Sequence, residues 1–127
     1  MEIQERRKFL RRTVDAQARL VILTQPEGDI IEEGTAKVCN IGLGGALVSD
    51  ITLPSRSLPL KPFQVVLFIQ EGILEKVHMA CSVSRINSNG KISLGLNIDK
   101  MPEKHCAILK EFIRIEKNPL DFIKDVC

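Results

Sequence analysis

Two runs of alternating side chains constrain the fold more than any other feature of the sequence. Val77, Met79, Cys81 and Val83 alternate with His78, Ala80, Ser82 and Ser84. Further on, Ile92, Leu94, Leu96 and Ile98 alternate with Lys91, Ser93, Gly95 and Asn97. A side-chain period of two belongs to a strand with one face in a core and the other in water. Between the runs stands Asn87-Ser88-Asn89-Gly90, and Asn-Gly supplies the positive φ that a tight hairpin requires. The pair is an antiparallel hairpin with a one-sided core.

Strand signals recur upstream. Ala18 to Leu23 is apolar and bounded by the turn formers Pro26, Gly28 and Asp29. Thr35 to Cys39 places Ala36 and Val38 on one face and Lys37 on the other, and Ala46-Leu47-Val48 is a short apolar strand. Three of the six prolines fall between Ser49 and Pro62, so that stretch reads as a loop with at most an edge strand. Phe63 to Gln70 is a nearly continuous β-branched, apolar run, as in a well-buried strand. The period then changes. Pro102 stands where a first helical residue belongs, and Ile108, Leu109, Phe112 and Ile113 share one helical face, with Lys104, Lys110, Glu111 and Arg114 opposite. Asn118-Pro119 restarts a short helical turn with Phe122 and Ile123 on its apolar side. The expected architecture is an all-β core with a C-terminal helix. Residues 1–16 form an N-terminal arm, 17–99 a small six-stranded antiparallel β-barrel, and 102–125 one or two helices packed on it.

Composition narrows the function. The 127 residues are 44% apolar and 27% charged, an ordinary globular balance for one domain. No apolar run exceeds the five residues from Val65 to Ile69, which leaves no membrane span and no signal-peptide core. A cytoplasmic location is expected, with Cys39, Cys81, Cys106 and Cys127 as reduced thiols. No Cys-x-x-Cys or His-x-x-x-His spacing offers a metal site. Cys106 and His105 are neighbours, but adjacent helical residues point about 100° apart and cannot act as nucleophile and base. They read as a half-buried thiol beside a surface histidine. Catalysis is not expected. A barrel surface for single-stranded nucleic acid would need stacking platforms, and five Phe, mostly at core-like positions, with no Tyr or Trp argue against one.

Charge is concentrated. Residues 1–12 carry five basic and two acidic side chains, whereas the remaining 115 are nearly neutral. Such an arm suits a local anionic partner. Arg7 and Arg11 are four apart, and a guanidinium is a planar fork suited to phosphate and to the O6/N7 edge of guanine. A second feature, Gly42-Leu43-Gly44-Gly45, follows a strand, but Leu47 occupies the third glycine position of a dinucleotide fingerprint and no Lys-Ser/Thr pair follows. It reads as a tight turn whose glycines supply positive φ.

The order of these features, ERRKFLRR, then VCNIGLGGALV on a strand-to-strand turn, then the hairpin ending in SLGLNID and a helix, resembles the PilZ domain family, the bacterial receptors for cyclic di-GMP, over essentially the whole chain. Arg7 and Arg11 match the family's Arg-x-x-x-Arg. Asn40 and Gly45 match the ends of Asp/Asn-x-Ser-x-x-Gly, and Gly42 stands where serine is usual. The resemblance implies a split barrel and a non-catalytic receptor whose N-terminal arginines grip phosphate and guanine, often around two intercalated ligand molecules. Asn40 would bond a guanine, and Gly45 would let the backbone approach closely. Arg6, and less directly Arg12, would add phosphate contacts or base stacking. Folding of the arm over the ligand would relay the signal to a protein partner. It also implies a different possibility: a PilZ-like adaptor that, with Gly42 in place of serine, has lost cyclic di-GMP and binds only protein. Neither a nucleic-acid polymer nor membrane insertion is expected.

Overall fold

The computed structural model describes residues 11–88 and 90–116. Six strands precede one helix: β1 (Arg11–Thr24), β2 (Ile30–Gly42), β3 (Gly45–Thr52), β4 (Phe63–Ile69), β5 (His78–Asn87), β6 (Ser93–Lys100) and α1 (Glu103–Glu116). They form a closed barrel in the order β1-β2-β3-β6-β5-β4. Every pairing is antiparallel, and β4 closes the ring against β1 from Ala18↔Ile69 to Thr24↔Phe63.

The alternation seen in the sequence decides what fills the ring. Leu20, Ile22, Val38, Val48, Val65, Leu67, Met79, Cys81, Leu94 and Leu96 are buried and belong to one apolar cluster. Their strand neighbours, such as Arg19, Lys37 and Gln64, face outward at least partly exposed. The hairpin of β5 and β6 pairs from Ala80↔Lys100 to Asn87↔Ser93, and Gly90 has a φ of 80°. Asn89 lies outside the described residues, as do the helical turn expected at Asn118-Pro119 with Phe122 and Ile123, and Cys127.

Several strands are longer than the sequence suggests, among them β3, which runs to Thr52 into the stretch read as a loop because Ser49 and Thr52 pair with β2. β1 begins at Arg11 rather than Ala18, so residues 11–16 belong to the sheet and not to the arm. The extension escapes a hydropathy reading because its inward positions are small or half-buried, Val14 and Ala16, and because a register shift between Thr13 and Ala16 breaks the alternation. β2 likewise extends back to Ile30 through Glu32, Glu33 and Gly34, residue types that favour no strand by themselves. In both cases cross-strand pairing overrides local preference.

Helix α1 opens at Pro102, whose carbonyl accepts the Cys106 N–H at 2.9 Å. Its inner stripe is His105, Leu109 and Phe112, all buried, with Ile113 partly so. The stripe is rotated from the expected one: Ile108 is 41% exposed and His105 only 7%. Spacings of four and then three residues place 105, 109 and 112 on one line, and Ile108 sits about 100° from Leu109. His105 is therefore not a surface histidine. Its Nδ1 accepts the His78 backbone N–H at 3.3 Å, and the two imidazoles meet edge to face at 4.5 Å. This bond ties the start of the helix to the start of β5.

Candidate functional site

The site grows from the first turn of the ladder between β1 and β2. Arg11 pairs with Gly42, Arg12 with Ile41 and Thr13 with Asn40. Consecutive strand residues point to opposite faces, and the two arginines diverge accordingly. Arg11 stays on the outer face, where its Nη1 donates to Asn40 Oδ1 at 3.3 Å. Arg12 turns toward the helix: its Nη1 donates to the Phe112 carbonyl at 2.7 Å and its guanidinium lies 3.7 Å from the centre of the Phe112 ring. Sequence separation gives no hint of this last contact, which joins residues a hundred positions apart.

Register shifts place Asn40. Between Val38↔Val48 and Asn40↔Leu47 the second strand carries one extra residue, Cys39, and such a bulge bends the strand and re-aims the side chains beside it. Val38 and Ile41 remain wholly buried while Asn40 is half-buried on the outside. Cys39 occupies itself locally, its Sγ 3.0 Å from Ser49 Oγ.

Gly45 closes the group. A Cβ there would collide with the Leu96 carbonyl and would stand 2.6 Å from Arg11 Nη2. The position needs glycine because the Leu96 backbone and the Arg11 guanidinium both come in close. The expectation of positive φ in this turn does not hold. Positive-φ glycines are Gly28, Gly72 and Gly90, and none lies between 42 and 45. At Gly45 the glycine provides space, not left-handed backbone.

The structure thus brings together Arg11, Asn40, Gly42 and Gly45 on one outer corner of the barrel, and directs Arg12 away from it. Arg6 and Arg7 lie outside the described residues. Among the described residues no cluster of three or more His, Cys, Asp or Glu could hold a metal ion, and no helix is long and apolar enough to cross a membrane. His105 and Cys106 form no pair, because the imidazole is bonded to β5. The arrangement presents one guanidinium and one carboxamide, groups that recognise phosphate and base edges.

No family model and no curated protein sequence matches the chain. Solved structures do. The Bacillus subtilis inhibitor of motility MotI/DgrA superimposes with a TM-score of 0.61 at 20% identity, over 89% of this chain and 52% of that one. The PilZ domain of YcgR from Escherichia coli, solved with c-di-GMP, gives 0.59 at 11% identity, over 86% of this chain and 89% of that one. The fold is that of a PilZ domain. The K. pneumoniae MrkH–c-di-GMP complex aligns with 97% of the chain and 55% of its own, with a TM-score of 0.55 at 13% identity. The chain therefore spans about half the length of MotI/DgrA and of MrkH. In this PilZ fold the corner of Arg11, Asn40 and Gly45 falls on the outside of the barrel, at the junction of β1, β2 and β3.

Proposed function

We propose that the chain is a non-catalytic receptor for cyclic di-GMP. The observation that carries the reading is the meeting of two motifs from separate parts of the sequence: the Arg11 guanidinium reaches Asn40 at 3.3 Å and lies against the bare backbone of Gly45. Two of the similar PilZ-fold structures were solved with c-di-GMP, which supports this ligand over other dinucleotides. Arg11 and Arg7 grip phosphate and the guanine O6/N7 edge, Arg6 adds a phosphate contact, and Asn40 bonds a guanine from the barrel surface. Arg12 serves the helix instead. Ordering of residues 1–10 over the ligand changes the surface offered to a protein partner.

Gly42 sets the strength of binding. It faces Arg11 across the ladder, and a serine there would add one hydroxyl beside the guanidinium. A neutral hydrogen bond is worth about 0.5–1.5 kcal/mol, or roughly 2- to 13-fold in affinity. Isothermal titration with cyclic di-GMP is expected to show binding by the wild type and tighter binding by Gly42→Ser. Arg7→Ala and Arg11→Ala should each lose about tenfold or more, since charge-assisted bonds contribute about 1.5–3 kcal/mol. Wild-type affinity in both arginine variants would refute the assignment. Gly42 also motivates the second reading, a PilZ-like adaptor without a ligand. That reading predicts no heat from the wild type or from either arginine variant.

A further inference from the structure

The outer surface beyond Asn40 continues the site onto three more strands. Leu47, the cross-strand neighbour of Asn40, pairs on its other side with Gly95, and Gly95 faces Arg85. The register shifts between Val83 and Arg85, so that Ser84 and Arg85 both oppose Gly95 and emerge on the same side, as the two residues of a bulge do. A Cβ at Gly95 would stand 3.3 Å from Ser84 Oγ, 3.5 Å from Arg85 Cβ and 3.8 Å from Arg85 Nε. Leu94 and Leu96, on either side, are fully buried in the core, so Gly95 shows its bare backbone outward and Arg85 lies across it. Among the described residues, neither a hydrogen bond nor an ion pair holds this guanidinium.

Arg11 covers Gly45 in the same manner. Gly45 pairs with Asn97, two residues along β6 from Gly95, and diagonal neighbours of this kind lie about 7–8 Å apart. Two guanidinium groups, one from β1 and one from β5, therefore rest on the outer face over two diagonal glycines, with Asn40 and Leu47 beside them. Small residues under each fork leave a flat floor, and a planar fork can take a phosphate or a guanine edge, or stack on a base.

We propose that Arg85 is a further ligand-gripping arginine, the one supplied by the barrel wall across from Arg11, taking the half of a cyclic dinucleotide that Arg11 does not reach. The proposal rests on the receptor reading and deepens it: the site requires two phosphate–guanine units at once, held from β1 and from β5. Titration of wild type, Arg85→Ala, Arg85→Lys and, as a control for bulk charge, Lys61→Ala with cyclic di-GMP tests it. Arg85→Ala should bind about tenfold or more weakly with an unchanged melting temperature. Arg85→Lys, which keeps the charge but not the fork, should recover only part of the loss, and Lys61→Ala should match the wild type. Wild-type affinity in Arg85→Ala overturns the role of Arg85 and leaves the receptor reading standing. An equal loss in Lys61→Ala overturns it too, because charge alone would then explain the effect. Absence of binding by the wild type overturns both readings.

Discussion

Arg11 and Arg12 are identical in type and adjacent in sequence, yet the strand makes them answer to different parts of the molecule. One meets Asn40, the other the ring and carbonyl of Phe112. From the sequence both belong to a basic run in which only Arg11 completes an Arg-x-x-x-Arg spacing with Arg7, and that spacing does not say that Arg12 turns to the helix. The distinction comes only from where β1 begins and which face each residue takes. Arg12→Ala removes a charge-assisted hydrogen bond and a cation–π contact, together about 2 kcal/mol. Its melting temperature should therefore fall by several degrees in calorimetry, while cyclic di-GMP affinity stays within about threefold of wild type. A tenfold loss of affinity with unchanged melting would instead make Arg12 a ligand contact. Asn40 and Gly45 were legible as candidate site residues because motif spacing survives in sequence, and the structure brings both beside Arg11. Arg85 was not, since its place beside them depends on three successive strand registers.

At the scale of elements, the β5–β6 hairpin was the most legible part of the chain: strict alternation and an Asn-Gly turn describe it without help from the rest. The N-terminal half of β1 and of β2 was illegible for the opposite reason, because polar or small residues there are held in strands by their partners. The helix lay between these extremes. Its position was legible, but its rotation was not, since a histidine takes a place in the inner stripe that hydropathy awards to Ile108. The rotation can be checked directly. Leu109→Ala should cost about 2–5 kcal/mol in denaturant unfolding, as for other fully buried leucines, whereas Ile108→Ala should cost less than about 1 kcal/mol. Equal losses would restore the expected face. His105→Phe keeps the volume near the edge-to-face contact but removes the acceptor for the His78 N–H. It should speed hydrogen exchange at that amide, since a buried donor without a partner costs about 1–3 kcal/mol.

The whole molecule is a filled ring, and its filling includes a thiol. Burial pushes the Cys81 pKa up from 9.0 to about 12, with Asp99 adding to the rise. The folded state thus keeps its proton where the unfolded chain loses it. This contribution to stability is complete below pH 9 and declines as pH climbs toward 12, at up to about 1.4 kcal/mol per pH unit. Denaturant midpoints measured from pH 8 to pH 11 should fall steadily in the wild type and less in Cys81→Ala, compared with each protein's own value at pH 8. Parallel slopes would assign the alkaline loss to other groups. Filling has a second consequence, for time rather than for strength. Arg11, Asn40 and Gly45 meet on the outer wall of the filled barrel, so no strand need part to admit a ligand at that corner. Encounter would then be governed by diffusion and charge, and most of the difference between variants would fall on dissociation. Under the receptor reading proposed above, such a site would report a falling ligand concentration as promptly as its grip allows, and Gly42, by withholding one bond, would shorten that memory.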